Sequence, residues 1–525
     1  MTDRNAEPLR AKPWQAKISR RGFIGTGTRL ATAAALAGYL PESVLKAQAA
    51  AASSRSSFDL SQVKHLVFLM QENRSFDHCF GTYPGVRGFS DPHAVKLPNG
   101  RSVFQQPDPA NRDGYLEPFH LDTINAGGAA VPSLSHNWQP QHASWNRGAM
   151  DGWVRSKIEY GGPGKGQYTM GYLKREDIPF HWALADAFTL LDGHHCSVLG
   201  PTDCNRLFWE NGTIDPQGLG GGPLLETGGD HTFTFESGAE TLFKAGISFK
   251  CYGAPGTFKW FPKLQSRTGI PIELWNAVNA SGALFGDGTP GGIGNPANPT
   301  PATHSTMAFE EDCANGVLPD VSVIAANNSS EHPPSLPAKG AAFLAGKLDA
   351  LLSNQDLWNT TVFVIQYDEN DGFFDHVVPP TPDPDEFPEE FVTMPSPLGT
   401  PGGNLPVGAG FRVPCWVVSP WSTGGKIFSD VSDHGSCLRL VESVAAAGGL
   451  SGRGPVTYPN LSRWRRQTFS DLTGALSGTA QPAPTSPEFD PAVRAANVAA
   501  QTESANLPLP AFPGADQSAP FQVKK

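Results

Sequence analysis

The chain has 525 residues, with 50 acidic against 39 basic side chains and a net charge of −11. That balance excludes nucleic acid as a natural partner and disfavours electrostatic docking on an anionic membrane, but it leaves a zwitterionic lipid open. The 57 glycines and 48 prolines predict long irregular loops around a moderate set of helices and strands.

Ser19-Arg20-Arg21-Gly22-Phe23-Ile24 is a twin-arginine pattern. A weakly apolar stretch, Leu30 to Leu40, and a small-residue cleavage site, Ala47-Gln48-Ala49, follow it. Residues 1–49 are therefore expected to be a targeting signal, the alternative being an amphipathic first helix. The twin-arginine export machinery carries folded proteins, so the mature chain is expected in the periplasm, the cell envelope or the medium. No other stretch reaches the ~18 apolar residues of a membrane span, and no transmembrane anchor is expected. A catalytic domain is expected over 50–470. The Pro-, Ala- and Ser-rich tail, 471–525, either wraps the surface or is loose.

Leu66–Met70 is an apolar run of strand length. Glu72, Asn73, Arg74, Asp77 and His78 follow at once. His136 comes next, beside Asn137 and Trp138. Gly200-Pro201 then presents Thr202 ahead of a predicted helix, Asn205–Trp209. Further strands are expected at Ser322–Ala325, Thr361–Gln366 and Cys415–Ser419, and helices at Ala338–Leu352 and Cys437–Ala447. This alternation predicts an α/β fold, a mostly parallel sheet with helices on both faces. Long loops are expected at 285–304 and 379–410.

Ligands in open α/β sheets bind beyond the carboxyl ends of strands. A carboxylate beside an amide oxygen there, as in Glu72-Asn73, suits a hard divalent cation. The adjacent acids Asp368 and Glu369 repel unless a cation or proton neutralises them. Thr202 reads either as an N-capping residue or as a hydroxyl poised for nucleophilic attack. His332, braced by Pro333 and Pro334, reads as structural or as a proton donor. Trp138, Trp145, Trp153, Phe208, Trp209, Phe373 and Phe374 read as core packing before a cation-binding cage. Seven cysteines, with no Cys-x-x-Cys pair, read mostly as buried thiols, with a disulfide or two open.

Gln71-Glu72-Asn73-Arg74-Ser75-Phe76-Asp77-His78, Ser135-His136-Asn137-Trp138, Gly200-Pro201-Thr202-Asp203-Cys204-Asn205-Arg206-Leu207, Ser330-Glu331-His332-Pro333 and Tyr367-Asp368-Glu369-Asn370 resemble, in this order, the motifs of the bacterial phosphoesterase family. That family holds the non-haemolytic and mycobacterial phospholipases C and a group of acid phosphatases. The resemblance covers most of residues 60–465. It implies an alkaline-phosphatase-like core and Thr202 as nucleophile. It implies a divalent ion (Ca²⁺, Mg²⁺ or Mn²⁺) on Glu72, Asn73, Thr202, Asp368 and Glu369. His136 and His332 are implied as catalytic, and His376, past a Gly turn after Asp368, is expected to face the same site as a third catalytic histidine. Asn205, Arg206 and His434 are implied at the phosphate, although Asn205 and Arg206 read equally as braces of the turn. The family usually has Gly where this chain has Asp371. The implied activity is phospholipase C on the glycerol–phosphate ester of phospholipids such as phosphatidylcholine. The alternative is an acid phosphatase using the same site. A catalytically dead exported binding protein is disfavoured by the intact Glu72, Asn73, Thr202, Asp368 and Glu369.

Overall fold

A computed structural model of the chain describes residues 58–252, 257, 260–261, 308–326, 330–452, 454–514, 517–518 and 520–522. The twin-arginine segment, the cleavage site and the loop 285–304 lie outside the described residues.

Seven strands build one sheet: β1 His65–Gln71, β2 Thr189–Leu191, β3 Phe249–Tyr252, β4 Val321–Ala325, β5 Thr361–Tyr367, β6 Cys415–Val418 and β7 Ile427–Phe428. Their order across the sheet is β7-β2-β6-β5-β1-β4-β3. β1 pairs in parallel with β5 on one side and β4 on the other. β6 runs antiparallel to both of its neighbours, so it alone opposes the common direction. The mostly parallel α/β architecture is as expected from the alternation of elements.

β1 and β5 occupy the centre because they are apolar on both faces. Every residue of β5 is buried, and six of the seven in β1. Alternate side chains leave a strand on opposite faces. Val67 and Leu69 of β1, with Phe363 and Ile365 of β5, feed one hydrophobic core. Leu66, Phe68, Met70, Val362 and Val364 feed the other. The first core is covered by helices that include Phe76–Phe80, Pro179–Ala187 and Pro337–Leu352. The second is covered by Thr202–Asn211, Gly238–Ala245 and His434–Ala446. Burial on both faces explains the near-continuous apolar reading of these strands.

The seven cysteines are all buried and free. All seven aromatic residues named above are buried in the cores, so none is available as a cage for a cationic head group. The tail contains a helix, Pro491–Ser504. Gln501 accepts from the Ala338 N–H and donates to the Asp177 carbonyl. Further on, the Gln522 amide donates to the carbonyls of Tyr83 and Val86. Of the two sequence readings, wrapping the surface describes this segment.

Candidate active site

β1 and β5 end side by side, with Gln71 in register with Tyr367. The residues that follow them therefore meet at one edge of the sheet. Asn73 adopts a left-handed backbone (φ 66°), which turns the chain so that its N–H donates to Asp368 Oδ1 at 3.0 Å. The Asn73 amide nitrogen donates to Glu369 Oε1 and, at 3.2 Å, to Asp371 Oδ1. Two acceptors are left buried with no hydrogen-bond partner, Asn73 Oδ1 and Asp368 Oδ2. Buried acceptors are normally satisfied, so this pair at the strand ends offers free oxygens to a cation.

Burial and the neighbouring Glu72 raise the Asp368 carboxyl to about 7, against the pull of Arg206. Glu369 is likewise raised by burial, with His136 opposing and Asp368 and Asp371 adding to the rise. Positive charge placed here would relieve both. Both Glu369 oxygens already accept hydrogen bonds, from Asn73 on one side and from the Asp371 N–H and Gln141 on the other. The oxygens of Glu72, Asn73, Asp368 and Glu369 are of the kind a hard divalent ion takes.

Thr202 opens the helix Thr202–Asn211. The cap position belongs to Pro201, which has no side-chain cap bond. The Thr202 side chain is half-buried, and no hydrogen bond involves its hydroxyl among the described residues. The N-capping reading therefore does not describe it. One turn on, and so on the same helix face, Arg206 pairs with Glu72 Oε1 at 2.5 Å and lies 3.8 Å from Asp368 Oδ2. That pair draws the threonine end of the helix toward the strand ends.

Asn205 is fully buried. It accepts from the Val198 N–H and donates to the carbonyls of Val198, Gly200 and Pro201. Every polar atom is spent on the turn that presents Thr202, so Asn205 braces and does not face a ligand. His434 is also displaced from its expected role at the phosphate. It is fully buried, it bonds the Tyr367 carbonyl at 3.0 Å, and burial lowers its pKa to about 3. A neutral imidazole there buttresses the end of β5.

His136 and His332 meet with ring centroids 5.7 Å apart. His136 donates from Nδ1 to the Leu134 carbonyl at 2.7 Å, and its ring approaches Glu369 and Asp371. Burial opposes its charge, but Glu369 and Asp371 outweigh that and push it up to about 10. His332 donates from Nδ1 to the Pro333 carbonyl at 2.7 Å, which leaves Nε2 for another partner. His136, His332 and Asp371 each offer a ligand atom within 4.8 Å of the others.

His376 stands apart from this group. Its Nδ1 meets Asp77 at 2.6 Å and its Nε2 meets Asp91 at 3.3 Å, with Arg412 bridging Asp77 and Asp375. Gly372 (φ 106°) reverses the chain between Glu369 and His376. Residues past that turn therefore face the helix Phe76–Phe80 instead of the carboxylates, and His376 belongs to a buried ion network.

Lys157 and Gln141 were not singled out from sequence, and Asp371 was noted only as a departure from the family residue. Lys157 is fully buried and donates to the Ser135 carbonyl and to Gln141. Burial lowers it to about 7, against the attraction of Glu369 and Asp371. Gln141 links Lys157 to Asn370 at 2.5 Å. Asp371 has a left-handed backbone (φ 57°), which is the reason Gly suits that position. In this chain its carboxylate accepts from Ser133 Oγ and the Leu134 N–H, both at 2.8 Å. It thereby pins the loop that carries His136. The departure from the family residue was the available signal for this role.

The phosphoesterase family model matches residues 63–445. A non-hemolytic phospholipase C of Burkholderia pseudomallei is 39% identical over 482 residues, covering 87% of this chain and 65% of that protein. Its namesake in Pseudomonas aeruginosa is 37% identical, over 87% of this chain and 63% of that protein. The chain thus spans a little under two-thirds of these two relatives. Phospholipase C B of Mycobacterium tuberculosis is 36% identical over 90% of this chain and 88% of that protein. Among solved structures, an alkaline phosphatase superfamily protein of Vibrio parahaemolyticus is similar at a TM-score of 0.32 and 11% identity, over 85% of this chain and 80% of that one.

Proposed function

The chain belongs to the phosphoesterase family, and from that premise we propose that it is an exported phospholipase C. Its substrate would be a phospholipid such as phosphatidylcholine, and its products diacylglycerol and a phosphorylated head group. The observation that carries this reading is the pair of orphaned acceptors, Asn73 Oδ1 and Asp368 Oδ2, beside Arg206, which sits one turn after Thr202 on the same helix and pairs with Glu72. The names of the relatives favour a diester substrate.

The oxygens of Glu72, Asn73, Asp368 and Thr202 would hold a divalent ion, with Ca²⁺, Mg²⁺ or Mn²⁺ fitting an all-oxygen set. Such an ion, when bound, lowers the pKa of a hydroxyl beside it and offsets phosphoryl charge. Thr202 Oγ1 attacks phosphorus, and the glycerol oxygen departs in line on the opposite side. His136, held as an imidazolium by Glu369 and Asp371, offers charge and a hydrogen bond to a phosphoryl oxygen. His332 gives a proton to the leaving alkoxide. Water then releases the head group from Thr202. Arg206 balances Glu72 and Asp368, and Asn205 and His434 hold the supporting backbone.

The test is hydrolysis of a chromogenic phosphocholine diester against a chromogenic phosphomonoester, each with and without chelator. Diester turnover that falls with chelator supports the proposal. Turnover of the monoester alone assigns the acid-phosphatase alternative.

A further inference from the structure

Two loops carry large apolar side chains into solvent. Leu219 is 88% exposed, Leu398 54% and Met394 39%. Single exposed apolar residues are ordinary, but these three share one surface. The Gln217 amide donates to the carbonyls of Pro388 and Phe391. A Cβ placed on Gly218, beside Leu219, would lie 2.4 Å from Met394 Sδ. Ser396 donates to Glu226 at 2.7 Å, and a Cβ on Gly229 would meet Leu398 Cδ1 at 2.5 Å. The loops 215–231 and 393–403 thus form one stitched rim.

The rim is anchored to the elements that bear the site. Asp203, next to Thr202, accepts from the Gly228 N–H at 2.7 Å. Trp138, two residues after His136, donates to the Gly402 carbonyl at 3.3 Å. The loops that bear the apolar tips are therefore tied to the residue after Thr202 and to the helix that follows His136.

The charge of the rim selects its partner. No Lys or Arg occurs between Arg206 and Lys244, or between residue 372 and Arg412, whereas acids do. A basic rim would seek an anionic surface, whereas an apolar rim whose own loops hold acids and no Lys or Arg suits a neutral one, and Arg463 beyond them is ion-paired with Glu386. We propose that the loops 215–231 and 393–403 dock on a zwitterionic phospholipid surface, with Leu219, Met394 and Leu398 entering the headgroup–acyl boundary. This deepens the proposed function and rests on it for the substrate.

The test is co-sedimentation of the full chain with phosphatidylcholine vesicles, with and without added phosphatidylserine. Leu219→Ser with Leu398→Ser should weaken binding to pure phosphatidylcholine about tenfold. The same variant should keep wild-type turnover of a soluble phosphocholine diester. Added phosphatidylserine should weaken wild-type binding. Unchanged vesicle binding by the double variant, or binding that rises with phosphatidylserine, would overturn the proposal. Vesicle binding that depends on the two leucines in a protein that cleaves no phospholipid would leave the docking surface standing and overturn the assigned activity instead.

Discussion

The backbone N–H of Asn73 donates to Asp368 Oδ1 at 3.0 Å across 295 positions of sequence. This bond ties together the loops leaving the two central strands. Asp368 Oδ2 and Asn73 Oδ1 remain buried without a hydrogen-bond partner, with Arg206 3.8 Å from the former.

A divalent ion on those atoms would make turnover chelator-sensitive. Dialysis against a chelator should abolish hydrolysis of a soluble diester, and one of Ca²⁺, Mg²⁺ or Mn²⁺ should restore it. Asp368→Asn should lower metal content and cut kcat about 100-fold or more, with little change in Tm. Full activity in a protein shown by elemental analysis to be metal-free would contradict the metal site.

The proposed mechanism gives His332 the leaving group. A diacylglycerol alkoxide needs a proton, whereas a nitrophenolate hardly does. His332→Ala should therefore slow phospholipid cleavage by about 10²–10⁴-fold and nitrophenyl ester cleavage far less. Equal losses on both would place His332 on the phosphoryl oxygens.

His376 serves the fold. Burial opposes its charge, but the attraction of Asp77 and its hydrogen bonds to Asp77 and Asp91 prevail, and its pKa is raised. A raised folded pKa contributes stability that is complete below the unfolded value, near 6.5, and is lost as pH rises through the folded value. Denaturant titrations should show wild-type stability falling along that alkaline limb. His376→Asn should be less stable at neutral pH, by about 2–3 kcal/mol, and should lack the limb. A variant with the wild-type pH profile would show that His376 is not the titrating group.

Export is a separate expectation. A reporter fused to residues 1–50 should leave the cytoplasm only when the twin-arginine pathway works, and Arg20→Lys with Arg21→Lys should retain it. Export of the doubly substituted fusion at the original rate would refute the signal.

The central strands were legible because β1 and β5 are buried on both faces and read as continuous apolar runs. The short strands β2, β3 and β7, of two to four residues, carry no such signal, and pairing alone defines them. Glu72, Asn73, Asp368 and Glu369 stood out because a carboxylate beside an amide, and two adjacent acids, follow the carboxyl ends of apolar strands. His376 and His434 misled for a shared reason. A histidine close in sequence to a site is placed by the intervening turn, and the reversal at Gly372 and the helix at His434 direct these two into the interior. Lys157 and Gln141 were invisible because they sit on helices whose neighbours only the tertiary fold supplies.

The stereochemical course at phosphorus tests the central claim, attack by Thr202, most directly. A covalent head-group intermediate on Thr202 requires two in-line displacements, each inverting the centre. Hydrolysis of a diester made chiral at phosphorus should therefore proceed with net retention. Thr202→Ala should lose nearly all of this turnover while keeping the wild-type Tm. Net inversion would mean that water attacks the substrate directly, and would contradict the account.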